Sequence, residues 1–245
     1  MHATNAALYG KGIFTTVAIY DRKPFLWQKH WRRLTDNASK IGIDLSEHSR
    51  EATRKSLHEI IEKKGVLDGR ARITFSDESP SSIWSTNKRR KTKLSIITAD
   101  LRTVPDNFKL TISPYPVNSL SPLAGVKSCN YLENILALDY AKTRGLDEAV
   151  RLNEYGHVTS GCMSNIFWLK DGVIYTPGLL TGCIAGTTRG FVIDRLKCTE
   201  VEAELEELID VDAIFLTSAG LGIVAIDEFA GRKLKRPDHP LLELI

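Results

Sequence analysis

One lysine stands where chemistry is possible. Lys127, in Gly125-Val126-Lys127-Ser128-Cys129-Asn130-Tyr131, joins a loop marked by proline and glycine, Ser121-Pro122-Leu123-Ala124-Gly125, to a strongly apolar helical run. That run carries Tyr131, Leu132, Ile135, Leu136 and Leu138 and ends near Gly145. A lysine at such a junction has a fixed base and a free tip. Partial desolvation weakens its preference for the charged form, and the neutral amine is a nucleophile able to form a Schiff base with an aldehyde. The ordinary reading of the same pattern is a surface lysine, of which the chain has many. Two other stretches suit an anion. Gly186-Thr187-Thr188-Arg189 sets a glycine and two hydroxyls at a helix start, where the first N–H groups lack intrahelical partners and the dipole favours negative charge. Thr217-Ser218-Ala219-Gly220 is a second small, hydroxyl-bearing loop after a strand. Either loop taken alone also reads as a cap or a turn.

The elements around these residues read in order as follows. Residues 13–20 form a β-branched and aromatic strand, Asp21-Arg22-Lys23-Pro24 a turn, and Phe25-Leu26-Trp27 the start of a second strand. A helix runs from about Gln28 to Ile41, with Trp31, Leu34, Ala38 and Ile41 on one face and Arg33 off that stripe. A second helix covers about Ser49 to Lys64, with Gly65 as its cap. Strands follow at 71–76, 94–99 and 108–113, and then the loop 117–125. A domain boundary at that loop divides the chain into 1–117 and 118–245. Beyond the lysine helix comes a dense β region with strands at 149–152, 157–160, 165–169 and 173–176, joined by Tyr-Gly and Asp-Gly turns that suggest antiparallel hairpins or a barrel. A helix at 187–196, a short acidic helix at 203–209 and strands at 213–217 and 223–226 complete the chain.

Composition excludes several function classes. The 245 residues are 42% hydrophobic and 26% charged, as in an ordinary soluble protein of one large or two medium domains. A formal charge of +3 is too small to argue for nucleic acid. The densest basic run, Lys88-Arg89-Arg90-Lys91-Thr92-Lys93, has no interleaved aromatics and reads as a solvated loop. No two of the four cysteines form a CxxC pair, so no metal site is expected, although their spacing leaves disulfides open. No signal peptide is visible, and no apolar run approaches the ~18 residues of a membrane span. A reduced, cytoplasmic protein without membrane or nucleic-acid partners is expected.

A reactive lysine with two candidate phosphate cradles is the inventory that pyridoxal 5'-phosphate requires, since its aldehyde needs an amine and its phosphate needs N–H donors. The order of the motifs resembles the class IV aminotransferases, the fold-type IV pyridoxal-phosphate enzymes, which include branched-chain and D-amino acid aminotransferases and 4-amino-4-deoxychorismate lyase. The likeness runs from Tyr9-Gly10-Lys11-Gly12-Ile13-Phe14-Thr15-Thr16 to about Asp227. It is most specific in Lys127-Ser128-Cys129-Asn130-Tyr131-Leu132, Asp147-Glu148-Ala149, Gly156-His157-Val158-Thr159 and Ser164-Asn165-Ile166-Phe167. Tyr175-Thr176-Pro177 and Gly186-Thr187-Thr188-Arg189 continue it.

The resemblance implies a mixed α/β fold of two domains, with a small N-terminal α/β domain and a larger, β-barrel-like C-terminal one. It implies a homodimer and a small amino-acid-like amine as substrate. Lys127 matches the Schiff-base lysine, Arg33 the arginine that pairs with the cofactor phosphate, and Thr187 and Thr188 the phosphate contacts at the helix start. Ser218 falls where the family offers another polar residue on the phosphate side. Asn165 reads as structural. Ser160 stands where the family pattern has a glutamate facing the pyridine nitrogen. A serine there carries no charge and weakens the electron sink, which puts ordinary transamination in doubt and suits an elimination that yields an aromatic ring. Two other departures are Lys11, where relatives often carry aspartate, and Ser76-Asp77-Glu78, where an Arg-Gly pair often follows the strand. An acidic loop at the latter would disfavour a substrate carboxylate. Phe14-Thr15-Thr16 and the strand Asn165-Ile166-Phe167-Trp168 look most like the lyase. The resemblance thus leaves open amino transfer, elimination of pyruvate to give 4-aminobenzoate, and a non-catalytic member that binds a ligand or partner.

Overall fold

The computed structural model describes residues 3–81 and 91–245, and the chain divides into two compact units. The first holds the chain up to Leu101 together with Val126–Tyr131; the second holds Arg102–Gly125 and Leu132–Ile245. The first three residues of the basic run 88–93 lie outside the described residues.

The first unit contains α1 (Asn5–Tyr9), β1 (Gly12–Tyr20), β2 (Lys23–Pro24), α2 (Trp27–Ile41), α3 (Arg50–Lys64), β3 (Gly69–Asp77) and β4 (Thr92–Ala99). Its sheet is antiparallel in the order β2-β1-β3-β4. Strand side chains alternate between faces. The odd-numbered residues of β1 and β3, among them Ile13, Val17, Ile73 and Phe75, form a core with Leu34 of α2 and with Leu57 and Ile61 of α3. The even-numbered residues of β3 are only half-buried. Ser49 caps α3 by accepting the N–H of Ala52, as a serine before an apolar-periodic run should. Phe25-Leu26-Trp27 is not a strand. Asp21 and Arg22 take positive φ in a tight turn that allows only a two-residue β2, Leu26 is left-handed at φ 53°, and Trp27 opens α2 because its ring is buried in the core.

The second unit contains β5 (Lys109–Ile112), α4 (Leu132–Lys142), β6 (Glu148–Leu152), β7 (Val158–Gly161), β8 (Asn165–Lys170), β9 (Val173–Pro177), α5 (Thr187–Ile193), β10 (Cys198–Val201), β11 (Ala213–Ser218), β12 (Gly222–Ala225), β13 (Glu228–Phe229) and β14 (Arg232–Lys233). Two five-stranded sheets, β10-β9-β8-β11-β12 and β14-β13-β5-β6-β7, share one core built from Leu110, Val150 and Val158 on one side and Ile166, Trp168 and Leu216 on the other. α5 covers the outer face of the first sheet through Val192, and α4 covers the second through Ala137 and Ala141. β5 and β6 run parallel, which requires a crossover, and α4 is the helix of that crossover.

Four sequence expectations change here. The strand at 108–113 was read with the first domain; it pairs instead with β6 and β13 in the second unit, because its partners lie far along the chain. The helix at 187–196 ends at Ile193, and 203–209 is a 3-10 turn at Leu205–Leu208. The apolar run of α4 is not its buried face: Leu132, Ile135 and Leu136 are exposed, and the small residues Ala137 and Ala141 pack inward.

Candidate active site

Val126–Tyr131 is held to the first unit by strand pairing. The Phe14 N–H donates to the Lys127 carbonyl at 2.9 Å, the Cys129 N–H donates to the Gly12 carbonyl at 2.8 Å, and Ile13 pairs with Ser128. The segment therefore extends the edge of β1. The approach is close enough that a Cβ on Gly12 would lie 2.9 Å from the Cys129 sulfur and 3.0 Å from the Phe75 carbonyl oxygen. Period-two alternation buries Val126 and Ser128 and sends Lys127 to the face that carries Phe14. The Lys127 amine lies 4.5 Å from the Phe14 ring centre and 4.6 Å from that of Tyr131, and it donates to the Tyr131 hydroxyl at 3.0 Å. The Arg72 guanidinium sits 3.6 Å over the same Phe14 ring.

The charges that act on the Lys127 amine among the described residues, those of Arg33 and Arg72, are positive. Among the described residues no carboxylate forms an ion pair with Lys127. Burial first, then the charges of Arg33 and Arg72, push its pKa well below that of an ordinary lysine. Arg33 reaches from α2 to donate through Nη2 to the Thr15 hydroxyl at 2.7 Å, and that hydroxyl lies 2.7 Å from Nδ1 of His30. The Thr15 hydroxyl thus joins Arg33 and His30 in one buried hydrogen-bonded chain. His30 is buried, and burial, Arg33 and Lys127 together hold its pKa well below the usual value, so it is neutral. Burial pulls the Arg33 guanidinium down to about 10, which leaves it charged at neutral pH. An amine with a depressed pKa beside the guanidiniums of Arg33 and Arg72 suits an anion and a nucleophilic nitrogen.

The second unit carries the other candidates. Thr187 and Thr188 open α5 and are buried. A Cβ on the preceding Gly186 would lie 1.9 Å from Oδ1 of Asn165, whose Nδ2 donates to the Ile184 carbonyl at 2.8 Å. Asn165 thus clamps the loop that feeds α5, the structural role read from the sequence. Its strand partner Thr217 is buried, and the Thr217 hydroxyl has no hydrogen-bond partner among the described residues. Ser218 closes β11, and its hydroxyl accepts the N–H groups of Gly220 and Leu221, a turn cap. Ser160 is half-buried on β7, opposite Arg151 of β6.

Lys127 and Arg33 therefore share one electrostatic environment in the first unit, while Ser160, Thr187, Thr188 and Ser218 belong to the second. Sequence reasoning missed Thr15, His30, Arg72 and Tyr131 as parts of the lysine's surroundings. Tyr131 was counted into the apolar helix but lies outside it, and the other three are brought to the lysine only by strand register and by the packing of α2.

The two departures from the family pattern near the N-terminus meet in space. Lys11 pairs with Asp77 at 3.0 Å, and Asn5 donates to the same carboxylate at 3.1 Å. Burial raises the Asp77 pKa, but hydrogen bonds from Ser79 and Lys11 outweigh it and hold the carboxyl below its usual value. Asp77 is buried and neutralised, so it does not present the acidic loop that its neighbourhood in the sequence suggested.

Comparison with known proteins agrees with this fold. The family model for amino-transferase class IV matches residues 12–229, and the chain belongs to that family. A protein of Methanocaldococcus jannaschii, assigned provisionally by name to the branched-chain-amino-acid aminotransferases, is 29% identical over 92% of this chain and 81% of its own length. The aminodeoxychorismate lyase of Bacillus subtilis is 28% identical over 89% and 77%. The crystal structure of the branched-chain aminotransferase of Thermoproteus uzoniensis superposes with a TM-score of 0.90 at 25% identity, covering 98% of this chain and 85% of that one.

Class IV aminotransferases use pyridoxal phosphate. The residues present fit it. The first unit offers an amine with a depressed pKa beside a cation held by a buried threonine, and the second offers an orphaned buried hydroxyl at Thr217 behind the start of α5.

Proposed function

We propose that the chain is a pyridoxal-phosphate enzyme that acts on an amino-acid-like amine through Lys127. The observation that carries this reading is the Lys127 amine, with no carboxylate partner among the described residues, acted on by the charges of Arg33 and Arg72 and held by the Tyr131 hydroxyl. When bound, the cofactor supplies an aldehyde for this amine and a ring that takes up electrons from the substrate's α-carbon. The protein supplies the rest. Lys127 would hold the cofactor through its amine as a Schiff base, and the same amine, when free and neutral, would take and return the proton of the substrate's α-carbon. Tyr131 positions its nitrogen. Arg33, steered by Thr15, pairs with the phosphate, with Thr187, Thr188 and Ser218 as further contacts on that side. Ser160 stands at the ring nitrogen.

Amino transfer is the first outcome this reading names. One observation favours a second, elimination of pyruvate from 4-amino-4-deoxychorismate to leave 4-aminobenzoate. Ser160 brings no charge to the ring, and an elimination that forms an aromatic product has a driving force of its own. We read the exposed apolar residues of α4 as support for a homodimer, and four free cysteines as support for a reducing, cytoplasmic setting.

The test is spectroscopic. Protein incubated with pyridoxal phosphate should gain a visible band that borohydride fixes onto Lys127 and that Lys127→Ala lacks. Absence of the band would sink the reading and leave a family member that binds without turnover. Pyruvate release from aminodeoxychorismate, set against amino transfer with an amino acid panel, separates the two outcomes.

A further inference from the structure

His30 is a polar side chain only 1% exposed, on α2 and three residues before Arg33. Residues so spaced share one side of a helix. Trp27 and Leu34, which flank His30 along α2, lie in the core of the first unit and fix the helix in place. Thr15 of β1 is fully buried, and its hydroxyl lies 2.7 Å from Nδ1 of His30 and accepts Nη2 of Arg33 at 2.7 Å. His30, Thr15, Arg33 and Lys127 all belong to the first unit.

An arginine side chain loses much rotamer freedom when its head is held in one place, so the acceptor that holds it has to be well fixed. Thr15 is β-branched and stiff at χ1, which sets its oxygen on the strand, but a hydroxyl still turns about its C–O bond. The bond to Nδ1 removes that last freedom. Whichever of the two groups supplies its proton, the bond decides where the remaining lone pair of the Thr15 oxygen points. His30 does this without adding charge. Burial first, then Arg33 and Lys127, hold its pKa well below that of an ordinary histidine.

We propose that His30 is a positioning residue which, through the Thr15 hydroxyl, holds the head of Arg33 where it can pair with the cofactor phosphate. The proposal rests on the cofactor reading above. His30 touches neither cofactor nor substrate in this role; it fixes the acceptor to which Arg33 donates. A histidine that only filled space in the core would affect stability, with no preference for a ligand that carries a phosphate.

The experiment titrates the cofactor-free protein with pyridoxal 5'-phosphate and, in parallel, with pyridoxal, which has the aldehyde but lacks the phosphate, and reads both affinities from the visible band. His30→Phe keeps a ring and removes its polar nitrogen. It should weaken binding of pyridoxal 5'-phosphate about tenfold, the upper range for one neutral hydrogen bond, and leave that of pyridoxal within about twofold. His30→Asn sets an amide as many bonds from the backbone as Nδ1 and should restore the affinity. His30→Gln carries its amide one bond further, near the place of Nε2, and should not. In a Thr15→Val background His30→Phe should cost nothing more, because the chain of bonds is already cut. Equal change for the two ligands, or losses that multiply in the double variant, overturns the proposal and spares the cofactor reading. Where His30→Phe does not fold, His30→Gln against His30→Asn decides by the same criteria. Absence of the band in the wild type with either aldehyde overturns both.

Discussion

Replacing Thr15 by valine tests the electrostatic logic of the lysine site. The Thr15 hydroxyl is fully buried and holds two bonds of 2.7 Å, one shared with His30 and one from Arg33. Valine puts a methyl group of similar size in its place. A neutral hydrogen bond contributes about 1 kcal/mol and one from a charged donor about 1.5–3 kcal/mol. The added apolar group returns roughly 0.8 kcal/mol. The expected net loss is about 2–3 kcal/mol. It can be read by urea unfolding of the cofactor-free protein, with the fluorescence of Trp27 and Trp31 as reporter, since both pack in the first unit's core. Thr15→Ser keeps the hydroxyl and loses only a methyl, so it should cost within about 1 kcal/mol. With Arg33 no longer steered, Thr15→Val should also weaken pyridoxal-phosphate binding, and Thr15→Ser should restore it. The reasoning is refuted if Thr15→Val costs less than about 0.5 kcal/mol, or if the serine and valine variants are equally damaged.

Three further outcomes are expected. Lys127→Met should stabilise the cofactor-free protein at neutral pH: the folded amine binds its proton less well than the unfolded one, so the penalty is full below the folded pKa and fades as pH rises toward 10.5. An unfolding series across pH checks this, and a gain that grows with pH would contradict it. Lys11→Asp should destabilise by about 2 kcal/mol or more, by setting a second carboxylate against the buried Asp77, and adding Asp77→Lys should recover much of the loss. Equal stability of the single and double variants would show that the pair contributes nothing. Gly186→Ala should cost about 1–3 kcal/mol and weaken cofactor binding, because its Cβ would meet Asn165 at 1.9 Å, and adding Asn165→Ala should relieve the clash; thermal melts of the three variants decide.

Much of this protein was legible in its order of residues. Local spacing determined α2 and α3, because their apolar stripes and their caps at Ser49, Gly42 and Gly65 lie within a few residues of each other. The family motifs singled out Lys127, and the fold surrounds it with the charges of Arg33 and Arg72. The remainder depended on contacts distant in sequence. Phe25-Leu26-Trp27 has strand composition, yet its place in the core makes Trp27 the start of a helix. β5 has the same alternation whichever sheet it joins, and only pairing with β6 and β13 assigns it to the second unit. α4 has an apolar pattern that faces outward, since the inward face needed the small residues Ala137 and Ala141 against β6. Lys11 and Asp77 were two unrelated oddities until β1 and β3 brought them to 3.0 Å. Thr15, His30 and Arg72 carry no signal of their own in the chain, because each acts on the lysine across a sheet or from a packed helix. Sequence alone records which residues can do chemistry. The depressed pKa of Lys127 arises only from burial and neighbouring charge, and both are properties of the folded chain.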